Sequence, residues 1–407
     1  MHSIRRSCRA ALLDSTHVAF LANGPHRAFS RSAALHRGAL PVFLEASSPE
    51  LSQLLATLNA RVLLPHHLTP EQERLVYKPE NRTRLEQEPI DITLGDVTLP
   101  LEHLDRNKDM PAYRVHLRSI LKASKTPDDW ENVVRALEGY HNAGLRLRPD
   151  QQTMAVRLLN RAGMQHLILK LAQRAKATGL RLRNFELIVA VLRSVRDKAW
   201  QAGWEKEDLR KALSMAEQIV ELMENEEHLG HPAGNQQDYR THPTVVAVPL
   251  EMAAELAYRH EADAAKVKRY ASRLMNALKQ QNFLAVDVQA DMERIEASTT
   301  KTEADFSKGH KQMRALAALH NDLCTLIPIW NSLSTARTVL DADMPMAEDA
   351  ERVQRRLREL LQKGEDAAER LRKRGGEELA SADPEGYAGY VKTAIQACEE
   401  DADEAEE

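Results

Sequence analysis

The sequence contains few aromatic residues, few cysteines and no long apolar run. Aromatic side chains make up 4% of the 407 residues, which argues against a sheet-rich fold, since strands favour aromatic and β-branched side chains. The three cysteines, Cys8, Cys324 and Cys398, form no CxxC pair, so neither a zinc ribbon nor a redox motif is indicated. The longest apolar stretch, residues 323–333, is shorter than the roughly 20 residues that cross a bilayer. We therefore predict a soluble protein with no stable membrane insertion.

Sequence signatures of catalysis are also missing. The chain has no glycine-rich phosphate loop, no GxGxxG after a strand, no HExxH and no nucleophile elbow. Two groups of histidines lie in loop-like stretches without cysteine or carboxylate at ligand spacing, which favours a surface role over a metal site. These groups are His66 with His67, and His228 with His231 and His242. We predict a non-catalytic protein with no metal or other cofactor.

The first forty residues are basic and nearly free of acids. Six arginines accompany a single acidic residue, Asp14, and serine and alanine are frequent. Mitochondrial transit peptides have this composition, and the run from Arg27 to Ser30 is similar to the site at which matrix presequences are cut. We predict that residues 1–40 are a transit peptide and that the mature protein lies in the mitochondrial matrix. The alternative is a disordered basic arm that binds RNA or lipid.

Residues 41–110 are predicted to form an amino-terminal extension. Leucines at helical spacing indicate a short helix within residues 44–59, and the polar, proline-punctuated stretch 65–88 suits a surface excursion or an extended arm. In "PIDITLGDVTLPL", apolar residues alternate with polar ones on both sides of a Gly-Asp turn, which predicts a β-hairpin. An extended crossing without a sheet is the alternative, because an isolated two-stranded hairpin is only marginally stable.

From Pro111 onward apolar residues recur at helical spacing. The stretch from Ala143 to Asn184 contains the pentapeptide GLRLR twice, with glycines at Gly144 and Gly179. The pattern between them indicates two helices separated by Gly163, so thirty-five residues hold one helical hairpin. A chance match of five letters is the alternative, but the helix pattern, the central glycine and the spacing agree. Hairpins this short cannot bury their own apolar faces, so we expect them to stack.

Beyond Asn184 the pattern is less regular. Two further helix pairs are indicated, and the segment "DKAWQAGWEKED" is expected to expand the turn within the first of them. We predict a repeat domain over residues 111–284, a helical carboxy-terminal region over 285–398 and an acidic disordered tail over 399–407. A highly charged helix over residues 347–374 keeps a narrow apolar seam, which fits a solvated helix packed on the repeats better than a coiled coil.

The repeat resembles that of the pentatricopeptide repeat (PPR) proteins. The Arg-Ala-Gly that ends at Gly163 is similar to that family's element between the two helices, Gly179 to its terminal glycine, and Pro149-Asp150 to its Pro-Asp. The resemblance is good for one unit, fair for the unit before it and weak after Asn184. It implies an all-α helical-hairpin array, a solenoid related to PPR and TPR proteins. Because only two units are clear, a long array that reads one base per repeat is not expected.

The resemblance also implies candidate RNA-binding residues. In PPR proteins a polar residue early in the first helix and another at the end of the repeat contact the base. On the best unit these places fall on Thr153 and Arg183, and on the preceding unit on Arg118 and Arg148. Arginine at such places argues for phosphate contact with little sequence choice.

The two GLRLR runs give a second argument for RNA. Their arginines alternate with leucines and should line corresponding edges of adjacent units. These arginines are Arg146, Arg148, Arg181 and Arg183. Residues 101–214 hold 22 lysines and arginines against 13 acidic residues, whereas residues 341–407 hold 10 against 20. Stacked arginines in a basic region suit an RNA backbone, and an ordinary solvated face is the alternative.

Together these features predict a non-catalytic helical-repeat adaptor in mitochondrial gene expression. The resemblance implies mitochondrial RNA or ribosomal RNA and mitochondrial ribosomal proteins as partners, and a short array suits a component of, or a factor on, the mitochondrial ribosome. The alternative is a protein-binding scaffold of the TPR type that supports assembly of an inner-membrane complex. The two functions differ in the concave surface, which would carry lysines and arginines for RNA but apolar and mixed polar pockets for a peptide.

Overall fold

The computed structural model describes residues 39–229, 238–281, 309–374 and 391–396. Within these ranges the regular structure is helical apart from one two-stranded antiparallel sheet, which precedes the main series of helices. The prediction of an all-α helical-repeat protein is confirmed. Most of the predicted transit peptide, the boundary at residues 284–285, His231 and the acidic tail lie outside the described residues.

The amino-terminal extension contains more helix than its proline-rich sequence suggests. Its elements are α1 (Pro49–Thr57), α2 (Pro70–Tyr77), α3 (Arg82–Gln87), β1 (Asp91–Leu94) and β2 (Val97–Pro100). The extended arm predicted over residues 65–88 is therefore wrong. Thr69 caps α2 through a capping box, and Pro70 takes the first helical position, where its missing N–H breaks no helical bond. The prolines thus mark the positions at which helices begin, whereas the sequence analysis interpreted them as loop residues.

The predicted β-hairpin is present. Ile92 pairs with Leu99 and Leu94 with Val97, and Gly95 turns the chain at a φ of 67°. The alternation places Ile92 and Leu94 in the core, since both are buried. This packing supplies the support that an isolated hairpin lacks.

The described chain beyond the extension forms successive helical hairpins. Their first helices are α4 (Tyr113–Ala123), α6 (Pro149–Arg161), α9 (Phe185–Gln201), α12 (Pro243–His260) and α14 (Gly309–Leu340). Their second helices are α5 (Pro127–Asn142), α7 (Gln165–Gln173) continued by α8 (Ala175–Thr178), α10 (Lys206–Leu222), α13 (Ala264–Gln280) and α15 (Ala347–Arg374). A short α11 (Glu226–Leu229) follows α10.

The same turn chemistry ends three of these helices. After α5, α6 and α9 the chain reads Ala-Gly followed by an apolar residue, and Gly144, Gly163 and Gly203 take φ values of 71°, 75° and 64°. In each turn the apolar residue donates its N–H to a carbonyl five residues earlier. These pairs are Leu145 with Tyr140 at 2.9 Å, Met164 with Leu159 at 2.9 Å and Trp204 with Ala199 at 3.0 Å. The bonds satisfy carbonyls at the helix end that would otherwise lack a donor, and a positive φ favours glycine there.

The expanded turn predicted between α9 and α10 is wrong. The segment "DKAWQAGWEKED" instead lengthens α9 to 17 residues, against 13 in α6, and contains the start of α10. Residues 202–205 alone connect the two helices. Ala199 in the added turn is buried, so the added turn extends the packed face of the hairpin.

Successive first helices of the later hairpins run parallel to each other. Between α12 and α14, the Thr244 hydroxyl donates to the Thr325 carbonyl at 3.2 Å, and the Thr335 hydroxyl to the Glu255 carboxylate at 2.8 Å. The corresponding contacts between α9 and α12 join Phe185 to His242 and Arg196 to Glu251. Within each set, the contacting residues are separated by a nearly constant number of positions, so the two helices run in the same direction. Helix α14 therefore stacks on α12 as α12 stacks on α9, and it covers the face of α12.

A buried ionic network fastens α14 to this stack. Arg196 of α9 and Glu251 of α12 form an ion pair at 2.7 Å, with side-chain exposures of 2% and 0%. The Asn331 amide of α14 donates to the same Glu251 carboxylate at 2.7 Å. Burial raises the pKa of Glu251 above its ordinary value, although Arg196 acts in the opposite direction. Separating the two charges is costly, so the ion pair holds α9 against α12. The Asn331 amide adds a hydrogen bond to the same buried carboxylate, which favours the seating of α14 at this place.

An extended strap, residues 39–47, lies along α5. The Leu44 N–H donates to Asn132 Oδ1 at 2.7 Å, and Asn132 Nδ2 donates to the Leu44 carbonyl at 3.1 Å. Asp129 accepts from the Ser47 hydroxyl at 2.6 Å and from the backbone N–H groups of Ser47 and Thr126. Burial acts to raise the pKa of Asp129, but the hydrogen bonds outweigh it and hold that pKa well below its usual range.

Candidate nucleic-acid interface

The loop after α5 turns its leucines inward and its arginines outward. Gly144 reverses the chain, after which Leu145 and Leu147 are partly buried while Arg146 and Arg148 are exposed. The loop after α8 repeats the arrangement: Gly179 has a φ of 71°, Leu180 and Leu182 are buried, and Arg181 is exposed. Each fully buried leucine contributes roughly 1.5–3 kcal/mol, so the leucines hold both loops in place and fix the outward direction of the alternate residues.

The two GLRLR loops meet at His141, at the end of α5. Burial lowers the pKa of His141, and the positive charges of Arg181 and Arg146 lower it further. The imidazole also packs against Gly179, where a Cβ atom would lie 2.6 Å from His141 Nδ1. The structure therefore makes the loops that carry Arg146 and Arg181 neighbours, since His141 at the end of α5 contacts the glycine that opens the second loop.

Arg148 and Arg183 have local partners. The Arg148 N–H donates to Gln151 Oε1 at 3.0 Å at the start of α6, and its guanidinium lies 3.3 Å from Asp150. Arg183 donates from Nε to the His228 carbonyl at 3.2 Å and from Nη2 to the Glu227 carbonyl at 3.1 Å. A cation at the carboxyl end of a helix is favourable, so Arg183 holds the end of α11.

Thr153 lies inside the protein. It belongs to the buried face of α6, its exposed fraction is 0%, and its hydroxyl has no hydrogen-bond partner among the described residues. The six predicted residues thus fall into three groups: Arg146, Arg181 and Arg118 on the surface without an ion pair in the described chain, Arg148 and Arg183 with local partners, and Thr153 in the core.

Two basic residues of α4 were missed by the sequence analysis. Arg114, Arg118 and Lys122 recur every four residues and form one exposed stripe, beside Val115, whose exposed fraction is 65%. Their four-residue spacing was the available signal. Helical periodicity would have indicated the whole stripe, whereas the family resemblance directed attention to Arg118 alone.

Tyr113 connects this stripe to the loop after α5. Its hydroxyl donates to the Arg146 carbonyl at 3.2 Å and accepts from Arg114 Nε at 3.0 Å. The Arg114 guanidinium lies 5.3 Å from the centre of the Tyr113 ring. Arg114 and the Arg146 backbone therefore contact the same side chain. We define the basic track as Lys122, Arg118, Arg114, Arg146 and Arg181.

The basic track carries positive charge that the described chain does not neutralise. No carboxylate in the described ranges lies within ion-pair distance of its five residues. Basic residues on the second helices are paired across neighbouring hairpins instead: Arg174 lies 2.6 Å from Glu138, and Lys266 lies 2.9 Å from Glu217. Positive charge without a carboxylate partner is available to phosphate, whereas the paired residues are already neutralised.

The described residues offer little to redox or metal chemistry. Burial raises the pKa of the Cys324 thiol to about 12, so it stays protonated and unreactive at neutral pH. Among the residues that the structure describes, no three histidine, cysteine or acidic side chains come together as a metal site. In the same residues no helix has the length and apolar character to span a membrane.

Two comparisons with known proteins agree with each other. Over 223 residues the chain is 30% identical to the small ribosomal subunit protein mS27 of Neurospora crassa. That match covers 53% of this chain and 56% of the Neurospora protein, so the matched part spans little more than half the length of the relative. The model of the family described as "Mrp13: Mitochondrial ribosomal protein mS27" matches residues 27–392. Since this range includes nearly all of the sequence, the chain belongs to the family of mitochondrial ribosomal protein mS27.

Proposed function

We propose that this chain is a non-catalytic component of the small subunit of the mitochondrial ribosome, in the mitochondrial matrix, and that it holds ribosomal RNA along the basic track. The observation that carries the proposal is a set of five exposed cations on α4 and on the two adjoining loops, without carboxylate partners in the described chain. Membership of the mS27 family supports the ribosomal assignment. Ribosomal proteins next to the chain in the particle are its other proposed partners.

The track is proposed to contact phosphates and to leave base sequence unread. Thr153, which the PPR resemblance offers as a base-reading residue, is buried, and Arg183 already binds two carbonyl groups. Phosphate contacts position an RNA, while only contacts with base edges specify its sequence. In a ribosome, assembly determines which RNA lies beside the chain, so contacts with the RNA backbone are sufficient to hold it.

We also propose that the array is a short, divergent PPR-like array over residues 111–284, followed by a helical region over 285–398. The equal φ of 71° at Gly144 and Gly179, thirty-five residues apart, supports equivalent positions in successive units. The stacking of α14 on α12 supports a carboxy-terminal region that continues the same packing. The predicted extension over residues 41–110 would then close the opposite end, through the strap on α5.

The test is sedimentation of the tagged chain from a mitochondrial lysate through a sucrose gradient, with and without nuclease, with probes for both ribosomal subunits. We expect co-migration with the small subunit that persists in moderate salt. A lighter peak that disappears after nuclease treatment would indicate a free RNA-binding factor. A light peak unchanged by nuclease would contradict the proposal and favour the protein-scaffold function.

A further inference from the structure

A cleft opens between the second helices α10 and α13, although ion pairs join second helices of neighbouring hairpins in this array. Neighbouring second helices α5 and α7 are joined by Lys170 with Glu131 at 2.5 Å and by Arg174 with Glu138 at 2.6 Å. Between α10 and α13, Glu217 binds both Lys266 at 2.9 Å and the Tyr270 hydroxyl at 2.5 Å. Beyond Glu217 a space of about 480 Å³ separates the two helices. We call it the α10/α13 cleft.

The floor of the α10/α13 cleft is apolar. It is formed by Val245, Val246 and Pro249 from the first turns of α12, with Val220 of α10 beside them. Val246 and Val220 are partly exposed. Pro249 has no N–H to offer, so this floor presents hydrocarbon and no hydrogen-bond donor at that position.

The two walls carry opposite charge. Glu221 lies in the last turn of α10 and Glu224 just beyond its end, whereas Arg269 and Arg273 lie on α13. Glu224 is bound by Arg240 at 2.6 Å, whereas no described carboxylate lies within ion-pair distance of Arg269 or Arg273. These two arginines are one helical turn apart, about 6 Å along the helix axis, so one carboxylate can lie between them.

We propose that the α10/α13 cleft is a docking site for a segment of a neighbouring protein. The segment carries a large apolar side chain, which enters the cleft, and an acidic residue about one helical turn away, which pairs with Arg269 and Arg273. A volume of about 480 Å³ lies within the range of about 300–1,000 Å³ typical of binding pockets. An apolar anchor flanked by a charged contact is the usual arrangement of a helix bound in a groove.

The charges favour protein over RNA in this cleft. An RNA strand carries a negative charge at every nucleotide, so it would bring several phosphates against Glu217, Glu221 and Glu224, whereas a peptide brings a single carboxylate to the arginine side of the opening. The apolar floor offers an aliphatic side chain a site that a phosphodiester would not use. The cleft and the basic track therefore suit different partners, and the chain could join an RNA to a protein.

The experiment places a photo-crosslinking amino acid at Val246 of the full chain in living cells. Intact mitochondria are irradiated, the lysate is fractionated on a sucrose gradient, and the crosslinked peptide is identified by mass spectrometry. Ser214, exposed on α10 outside the cleft, is the matched control position. The inference rests on the proposed function, because it places the neighbouring protein in the small ribosomal subunit. The sedimentation of the chain tests that function, and the identity of the crosslinked peptide tests the docking site separately.

We expect the Val246 probe to crosslink one protein, at a peptide with an acidic residue within about four positions of an apolar one. The double variant Arg269→Glu/Arg273→Glu should reduce the yield at least fivefold, and Lys206→Glu/Lys279→Glu, the same charge change at exposed positions of α10 and α13 outside the cleft, should not. Crosslinking to RNA or to this chain itself would overturn the proposal. So would a chain that sediments with the small subunit without any crosslink from Val246.

Discussion

At the scale of single residues, Gly144 and Gly179 form a matched pair. Both end a hairpin at a φ of 71°, but a Cβ atom at Gly144 would meet nothing within 4 Å, whereas at Gly179 it would lie 2.6 Å from His141 Nδ1. Gly144→Ala should lower the free energy of unfolding by about 1–2 kcal/mol, the cost of a left-handed residue with a side chain. Gly179→Ala should lower the free energy of unfolding by this amount and, in addition, by the cost of displacing His141.

Urea unfolding of the two variants measures the difference. Combining each substitution with His141→Ala gives the control, because removal of the imidazole should make the two glycine substitutions equally costly. Equal effects in the presence of His141 would show that the imidazole moves away freely. In that case it could not hold the loop that carries Arg181.

At the scale of elements, the attachment of the strap to α5 should depend on pH. The hydrogen bonds from Ser47 and Thr126 hold the pKa of Asp129 below its unfolded value, which is about 3.9. A carboxyl group with a depressed folded pKa adds stability above its unfolded pKa and loses it as pH falls through the folded value. Asp129→Asn should therefore be less stable than the parent at pH 7, and the gap should narrow as pH falls below about 4.

Free energies of unfolding between pH 7 and pH 3 test this expectation. Asp128→Asn, at an exposed neighbouring position in the same first turn of α5, is the control and should shift stability little. A gap between Asp129→Asn and the parent that stays constant over the whole range would contradict the account, because the strap would then not depend on the carboxylate charge.

The seating of α14 should depend on the charge balance at Glu251. Arg196→Met leaves a buried carboxylate without its ion-pair partner and should destabilise the protein by about 3–5 kcal/mol. Adding Glu251→Leu removes the remaining charge and should restore most of that loss. Thermal unfolding compares the variants, and limited proteolysis reports release of α14. A double variant less stable than Arg196→Met alone would show that the network adds stability and does not act mainly through specificity.

Sequence patterns predicted the elements of this fold better than its insertions. Helical periodicity and glycine spacing located α4 to α8, and alternation located the hairpin at Asp91–Pro100. The residues 65–88 and the segment "DKAWQAGWEKED" were misjudged for a common reason: polar and proline-rich stretches form helices when a cap begins them and a core receives their few apolar residues. A cap can be recognised from neighbouring residues, but the core that buries the apolar side chains is formed by residues distant in sequence.

At the scale of the whole molecule, the site was predicted less well than the fold. The alternation of leucine and arginine correctly separated inward from outward residues in both loops, so Arg146 and Arg181 could be named from sequence. The partners of Arg183 could not, because α11 lies more than forty residues away along the chain. Nor could the burial of Thr153, since the PPR resemblance assumes an open first helix and α6 packs closely against α9 through Asn160 and Asp197 at 2.6 Å.

The basic track predicts a salt dependence that other surfaces should not share. The triple variant Arg118→Glu/Arg146→Glu/Arg181→Glu should weaken binding to transcribed small-subunit ribosomal RNA on the order of 100-fold at 0.1 M salt. The slope of log K against log salt should fall by about 2–3, because each phosphate contact contributes about 0.7 on a single strand and about 0.9 on a duplex. Lys206→Glu/Arg210→Glu/Lys211→Glu, exposed on α10, makes the same charge change away from the track and should leave the slope nearly unchanged.

The same assay, repeated with RNAs of different sequence, distinguishes contact with the RNA backbone from recognition of its bases. An RNA hairpin and a partner with scrambled base pairs present the same phosphates, so the parent protein should bind both equally and the triple variant should weaken both by one factor. Discrimination between the two RNAs by the parent would mean that a side chain reaches base edges. Since Thr153 is buried and Arg183 is bound to α11, that result would assign base contact to the exposed arginines of the basic track. A salt slope that did not change in the triple variant would instead remove the basic track from the interface.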